Sequence, residues 1–197
     1  MYEVLRKLMF PLGEFEKLIP KKGNVLDVGC GHGMLARFLV EKSSKRFVKG
    51  IDPSGQKIAV AKKLAENFRN LSFEKKYVNE MKGKFDCIIV SDVLYLLPDS
   101  QKVGLLKKCR QILKKNGLFI VKTDSQEPKW LFKIIKLQEF FMINIIKFTH
   151  SDYGGFYSLD KHGYMEVIKR AGFNIRKQVT FKSIIPYRHP TYVAQKV

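Results

Sequence analysis

The stretch that most constrains this chain is residues 25–36, VLDVGCGHGMLA, where an apolar run containing one acid leads into three alternating glycines. This pattern predicts a buried strand, a tight loop and the first turn of a helix. Glycines at positions 29, 31 and 33 allow sharp turns and let a ligand approach the backbone closely. A helix that begins near Met34 directs its free N–H groups at the same place. Together these features predict a site for a nucleotide-like ligand.

Two acids narrow the class of ligand. Asp27 lies two residues before the first glycine, where its carboxylate would repel a pyrophosphate but would attract the ammonium group of an amino acid. This favours S-adenosylmethionine over NAD. Asp52 ends the next predicted strand, 19 residues after Gly33, where a nucleotide-binding βαβ unit places the carboxylate that accepts both ribose hydroxyls. By itself, an acid followed by Pro and Ser would also suit a turn or a helix cap.

An acid followed by GxGxG resembles motif I of the class I S-adenosylmethionine-dependent methyltransferases. The later segments FDCIIVSDVLYLLP and LLKKCRQILKKNGLFIV resemble the same family, so the resemblance covers about residues 20–125. It implies that the glycine loop surrounds the methionine part of the cofactor, that Asp27 supports this part and that Asp52 holds the ribose.

Adenine recognition is expected to differ from the family pattern. Where many members have an acid after the third strand, this chain has Tyr77, so stacking by Tyr77 or backbone groups near Val78 would bind the adenine. The complete set of expected cofactor-binding residues is Asp27, Gly29, Cys30, Gly31, His32, Gly33, Asp52, Pro53, Tyr77, Val78 and Ser91.

The alternation of strand and helix patterns predicts an α/β fold, a doubly wound and mostly parallel sheet with helices on both faces. The ending KRAGF followed by two strand patterns is similar to the sixth and seventh strands of the same methyltransferases, which implies seven strands with an antiparallel last one. We expect a single domain over residues 1–197, with a helical lead-in at 1–22 that covers the cofactor or flanks the sheet. A helical lid that borders the acceptor is expected at 126–160. The helix before the fifth strand is predicted to end at Asn116-Gly117, a sequence suited to a C-cap.

Catalytic candidates are sought at the carboxyl ends of the strands, because ligands of open parallel sheets gather there. His189 is the first candidate, since a histidine near the donor methyl could take a proton from a hydroxyl or an activated carbon; the alternative is a histidine in a surface loop. Asp92, Asp124 and Tyr95 are candidates for positioning the acceptor, with loop or capping roles as the alternative. Three separated cysteines and four histidines show no metal-ligand spacing, so no metal is expected.

The acceptor is less constrained than the donor. Residues 129–148 predict a helix with one narrow stripe of lysines and an otherwise apolar surface. Such a helix could pack on the sheet under the lid, or it could touch a membrane or a lipid substrate. A formal net charge of +19 suggests an anionic partner or only solvated faces.

These observations favour methyl transfer to a small, lipid-like or apolar acceptor. They also favour a cytoplasmic protein, with peripheral contact with an anionic membrane as an extension, because neither a signal peptide nor a spanning segment is recognisable. The alternative is a basic nucleic-acid-binding protein or an RNA methyltransferase on the same fold. Methylation of exocyclic base amines is disfavoured, since Ser91-Asp92-Val93-Leu94 stands where such enzymes have (D/N)PP(Y/F).

Overall fold

A computed structural model of the chain describes residues 10–144, 155–182 and 188–196. Its helices and strands, in chain order, are α1 (Leu12–Glu16), β1 (Gly23–Val28), α2 (Met34–Lys42), β2 (Arg46–Asp52), α3 (Gly55–Ala65), β3 (Leu71–Lys75), β4 (Phe85–Ser91), α4 (Asp99–Ile112), β5 (Leu113–Lys122), α5 (Lys129–Asn144), α6 (Lys161–Arg170), β6 (Phe173–Lys182) and β7 (Arg188–Lys196).

Seven strands form one sheet in the order β3-β2-β1-β4-β5-β7-β6. The first five strands are mutually parallel, whereas β7 runs antiparallel to both of its neighbours. The strand order reverses between β1 and β4, and this reversal is the place where doubly wound sheets open a crevice for ligands. The predicted fold class is confirmed, including the antiparallel last strand.

Apolar residues on the two faces of the sheet build two cores. Helices α1, α2 and α3 cover one face, where Val25, Ile89 and Ile120 point. Helices α4 and α6 cover the other face, where Leu26 and Ile88 point. Neighbouring residues of β1 therefore face opposite cores, as the alternation of side chains along a strand requires. Cys87 and Cys109 are fully buried, one in each core, as the sequence predicts.

A buried arginine fixes the N-terminal segment against the sheet. The guanidinium of Arg46, at the start of β2, donates hydrogen bonds to the carbonyl oxygens of Ile19, Leu39 and Pro20. It also forms an ion pair with Glu16, whose carboxylate is nearly buried. Because a buried charge is tolerated only when it is paired and hydrogen-bonded, this network sets the path of the chain between α1 and β1.

Two details of the predicted elements are wrong. Helix α4 ends at Ile112 rather than at Asn116-Gly117, and β5 begins at once with Leu113. The pairing of β5 with β4 is irregular between Phe85 and Cys87, so residues 114–117 form an irregular part of β5 instead of capping a helix. Val60 of α3 is half exposed although its spacing predicts a buried position.

Candidate active site

The glycine loop between β1 and α2 has the geometry that its sequence predicts. Gly29, Gly31 and Gly33 all have positive φ angles, of 74°, 55° and 81°. The backbone N–H groups of Gly29 and Cys30 both donate to the carbonyl of Ile51, which ties the loop to the end of β2. Residues with a Cβ rarely adopt such angles, so three glycines make this loop possible without strain.

Asp52 is oriented by the backbone on both sides. One carboxylate oxygen accepts a hydrogen bond from the N–H of Gly31 at 3.0 Å, and the other accepts from the N–H of Ser54 at 2.9 Å. Ser54 in turn caps α3 by accepting from the N–H of Lys57. Each carboxylate oxygen can accept a further hydrogen bond, so the group is held in one orientation and keeps acceptor capacity for a ligand.

A cleft opens beside this loop at the carboxyl ends of β1 and β4. Asp27 is 2% exposed and lines the cleft. The other residues that line it come from the N-terminal segment, the glycine loop, α2 and the end of β4: Phe10, Leu12, Gly29, Cys30, Met34, Leu35, Ser91 and Asp92. Burial raises the pKa of the Cys30 thiol well above its ordinary value, so this cysteine is a neutral packing residue at the cleft.

The expected adenine side is more open. Val78 is buried and begins a short 3-10 helix, while the Tyr77 side chain is about half exposed, 47%. The N–H of Tyr77 donates to the carboxylate of Glu80, which fixes the backbone at this point. His32 and Pro53 are half-buried at the rim of the loop. These positions are compatible with the sequence-based expectation, which remains a prediction.

On the other side of the cleft lies a charged pair that the sequence did not suggest. Lys122, at the end of β5, is 3% exposed and forms an ion pair with Asp92. Its ammonium lies 4.5 Å from the centre of the Phe10 ring, a cation–π contact. Asp92 has a φ of 59°, and its N–H donates to the carbonyl of Lys122. The carboxylate is thus fixed at the cleft by both the backbone and the side chain of one lysine.

His189 is close to this pair. Its ring contacts that of Phe10 edge-on, with the centroids 5.1 Å apart, and the residue is 5% exposed. The carbonyl of Pro190 accepts a hydrogen bond from the N–H of Thr123, which places the start of β7 beside the end of β5. His189 and Lys122 therefore meet at the same aromatic ring. The alternative of a histidine in an exposed loop is wrong for His189.

Comparison with known proteins agrees with this geometry. A family model described as a methyltransferase domain matches residues 19–172. This chain belongs to that methyltransferase family. The membership predicted from the sequence, in the class I family whose cofactor is S-adenosylmethionine, is confirmed.

Individual relatives show how far the similarity extends. The chain is 28% identical over 132 residues to a ubiquinone biosynthesis O-methyltransferase of Neisseria meningitidis, an alignment that covers 64% of this chain and 54% of that protein. It is 33% identical over 138 residues to the enzyme of the same name from Dechloromonas aromatica, which covers 67% of this chain and 57% of that one. The methyltransferase thus spans little more than half the length of these relatives.

Solved structures share the fold. Magnesium protoporphyrin IX methyltransferase from Synechocystis superimposes with a TM-score of 0.68 at 20% identity, over 94% of this chain and 78% of that one. An S-adenosylmethionine-dependent methyltransferase from Methanosarcina mazei gives 0.71 at 16% identity, over 96% of this chain and 98% of that one. At these identities the likeness concerns the fold alone.

Asp124, the next site candidate of the methyltransferase, faces the region that follows α5. Its two carboxylate oxygens accept hydrogen bonds from the hydroxyls of Ser158 and Tyr164. Asp124 is 3% exposed, and burial raises the pKa of its carboxyl above the ordinary value despite these hydrogen bonds. In the described structure this carboxylate joins the end of β5 to residues 155–164, and its oxygens are directed toward them.

Residues 155–160 lie across the carboxyl edge of the sheet and bring aromatic rings to it. The N–H of Tyr157 donates to the carbonyl of Tyr95, and the buried ammonium of Lys102 donates to the carbonyl of Tyr157. The Phe156 ring contacts Tyr95 at 5.1 Å and Phe132 of α5 at 5.9 Å between centroids. These three rings form the aromatic wall, which continues from the 3-10 turn after β4 to the first turn of α5.

Sequence reasoning missed Phe10 and Leu12, which line the cleft, and Lys122, which pairs with the cleft residue Asp92. Phe10 and Leu12 come from the lead-in, whose expected role of covering the cofactor remains a prediction. The sequence around them shows no motif, so only the tertiary structure identifies them. Lys122 could have been noticed, because a lysine that ends an otherwise apolar central strand needs a buried partner.

Proposed function

We propose that this methyltransferase transfers a methyl group from S-adenosylmethionine to a small, apolar, lipid-like acceptor. The observation that carries the proposal is a pair of buried carboxylates, Asp27 and Asp52, on either side of the glycine loop. The three glycines of this loop have a left-handed backbone conformation, with positive φ angles. A Cβ at Gly31 would meet no atom within 4 Å, so the backbone of the loop is open to solvent at this position. These features suit a ligand with an ammonium at one end and a ribose at the other.

The proposed roles on the donor side follow from this arrangement. Asp52 would accept hydrogen bonds from the ribose hydroxyls, with its orientation set by Gly31 and Ser54. Asp27 would favour the cationic methionine part, because a carboxylate in a low-dielectric site attracts a nearby positive charge strongly. When bound, S-adenosylmethionine supplies an activated methyl group on a sulfonium. Alignment of the acceptor with this methyl group can supply much of the rate enhancement.

On the acceptor side we assign His189 the role of proton acceptor and Asp92 that of a positioning group at the cleft. An imidazole can take the proton that a hydroxyl or activated carbon loses during methylation. Tyr95 would contribute to the wall that contacts the acceptor. Because both oxygens of Asp124 are hydrogen-bonded to Ser158 and Tyr164, we propose that Asp124 acts through the segment it anchors.

An apolar acceptor is supported by what surrounds the cleft. Phe10 and Leu12 line it on one side, and the aromatic wall stands at the same edge of the sheet. Peripheral contact with an anionic membrane belongs to the same proposal, because a lipid-like acceptor has to be taken from a lipid phase. The positive net charge of +19 suits such a surface.

Calorimetric titration with S-adenosylmethionine, with NAD as the comparison ligand, tests the donor assignment. We expect binding of the former only, and an Asp52→Ala variant should bind it at least about 100-fold more weakly, since hydrogen bonds to a charged group contribute about 1.5–3 kcal/mol each. Glu74→Gln is the matched control, because Glu74 is an acid of the adjacent strand whose partners are Lys49 and Lys76. Unchanged affinity in Asp52→Ala would overturn the ribose assignment.

The acceptor is best found with a labelled methyl donor. Purified protein would be incubated with cell extract that has been divided into lipid, small-molecule, RNA and protein fractions. We expect label in the lipid or apolar small-molecule fraction. Label confined to RNA would overturn the acceptor class and favour the nucleic-acid alternative, while leaving the donor assignment intact.

A further inference from the structure

Helix α5 carries an apolar surface that the rest of the described protein does not cover. Trp130, Ile134 and Leu137 are 58%, 55% and 59% exposed. At about 100° per residue these three side chains project within an arc of about 60°. The other large apolar residues found exposed in the described structure, Phe47, Val60 and Tyr77, lie singly on three different elements. Single exposed apolar residues are ordinary, whereas a contiguous row of them marks a contact surface.

Three lysines border this row. Lys129, Lys133 and Lys136 are exposed, and at about 100° per residue they project within an arc of about 60° directly beside the apolar row. On the opposite side, Leu131 is buried and Phe132 contacts Phe156. Among the described residues, the packing under the lid that the sequence suggested therefore involves one side of the helix.

We infer that this face of α5, formed by Trp130, Ile134, Leu137 and the three lysines, docks the methyltransferase on the surface of an anionic lipid bilayer. An apolar row beside a basic row is the arrangement of helices that lie in the interface of a membrane. Tryptophan is enriched at that level, and lysine side chains can reach anionic headgroups while their stems lie along apolar surface. No described helix is long and apolar enough to cross a bilayer, so the contact is peripheral.

Charge decides between a bilayer and another copy of the chain. A second copy would also carry a net charge of +19, and like-charged lysine rows would face each other across a symmetric interface. Anionic headgroups instead complement the lysines. Each lysine near an anionic surface strengthens binding by about fivefold, an effect that falls off within a Debye length.

The position of the face links it to the site. Phe132 projects from the same turns of α5 as the apolar row and joins the aromatic wall, which ends at Tyr95, three residues after the cleft residue Asp92. The bilayer and the acceptor side of the cleft would thus lie on the two sides of one helix. This link rests on the proposed function, in which the acceptor is apolar. Such an acceptor could move from the lipid phase along α5 without crossing water.

Tryptophan fluorescence tests the inference directly, because Trp130 is the single tryptophan of the chain. The 197-residue protein would be titrated with vesicles of 30% phosphatidylglycerol in phosphatidylcholine and with pure phosphatidylcholine vesicles. We expect a blue shift of the emission and co-sedimentation with the anionic vesicles only, both weakened by added salt. Binding with unchanged Trp130 emission would overturn the inference, because another surface would then make the contact.

Matched variants distinguish binding through this face of α5 from binding through the positive charge of the whole protein. Combined Ile134→Ser and Leu137→Ser should weaken vesicle binding by at least tenfold, while Phe47→Ser with Val60→Ser should change it less than twofold. Lys129→Gln, Lys133→Gln and Lys136→Gln together should weaken it far more than the same substitution at Lys62, Lys63 and Lys107, three exposed lysines of α3 and α4. Equal losses in the two sets, or self-association in place of vesicle binding, would overturn the inference.

The docking and the proposed function can fail separately. Affinity for S-adenosylmethionine should be unchanged in every α5 variant, and circular dichroism would confirm that each is folded. Vesicle binding without methyl transfer to any lipid fraction would retain the membrane surface and overturn the acceptor class. Methyl transfer to a detergent-dispersed acceptor without vesicle binding would retain the acceptor class and overturn the membrane surface.

Discussion

The two sides of the cleft are built by different means. On the donor side, Asp52 and the glycine loop are held by backbone hydrogen bonds between neighbouring elements of one βαβ unit. On the acceptor side, side chains far apart in sequence hold the structure, such as Asp124 with Tyr164 and Lys122 with Asp92. Backbone geometry tolerates only certain residue types and leaves a motif, whereas pairs of side chains can be exchanged together. The donor side is therefore recognisable in a sequence, and the acceptor side is free to diverge.

The largest effect on stability is expected when a glycine of the donor side is replaced. A Cβ at Gly33 would lie 2.5 Å from Cζ of Phe73, at a φ of 81°. We expect Gly33→Ala to lower the free energy of unfolding by about 3 kcal/mol, since left-handed backbone costs about 1–2 kcal/mol and overpacking about 1–3 kcal/mol. Urea denaturation monitored by circular dichroism measures this change in the free energy of unfolding.

Gly31→Ala is the matched control within the same loop. The φ angle of Gly31 is also positive, but a Cβ at this position would meet no atom within 4 Å. The loss should then be only the backbone cost, about 1 kcal/mol. Equal losses for the two variants would mean that strain alone, and not close packing against Phe73, requires glycine at these positions.

A smaller effect is expected when the anchor on the acceptor side is removed. Asp124→Ala would leave the buried hydroxyl of Tyr164 without its acceptor, which should lower the free energy of unfolding by about 2 kcal/mol. Proteolysis between residues 155 and 160 should become faster, because Ser158 loses the same partner. Unchanged stability and proteolysis would show that this segment is held by its aromatic contacts instead.

Asp124→Asn separates the charge of this residue from its hydrogen bonds. Because burial raises the pKa of Asp124 in the folded state, the folded protein binds more protons than the unfolded chain between the ordinary pKa, about 4, and the raised one. The free energy of unfolding should fall as the pH rises through this window. Asn keeps an acceptor for Tyr164 and cannot titrate, so the variant should show a flatter profile. A profile identical to that of the wild type would contradict the assignment.

The same contrast explains what the sequence could predict. Asp27, Asp52 and the three glycines form a local pattern with a physical reason at each position, and the doubly wound, mostly parallel sheet followed from the alternation of strand and helix patterns. The end of α4 was mispredicted because Asn116-Gly117 suits a helix cap, but strand pairing with β4 begins four residues earlier. Arg46 and Lys122 were missed because what makes each important is a partner distant in sequence, such as Glu16 or Asp92.

The last prediction compares two buried lysines of the acceptor side. Lys122 holds Asp92 at the cleft, whereas Lys102 holds Asp99 and the carbonyl of Tyr157 away from it. Lys122→Met should lower the rate of methyl transfer to the labelled acceptor fraction about tenfold, or about 1.4 kcal/mol in transition-state stabilisation, because Asp92 loses the cation that positions its carboxylate.

Affinity for S-adenosylmethionine should change less than twofold in Lys122→Met, and Lys122→Arg should restore part of the rate. Lys102→Met serves as the control for losing a buried ammonium, since it should lower the free energy of unfolding without a comparable loss of rate at a temperature where both variants are folded. Should Lys122→Met instead weaken cofactor binding and leave the rate with saturating cofactor intact, the ion pair would belong to the donor side. The boundary between the two sides of the cleft would then lie beyond Lys122, toward His189.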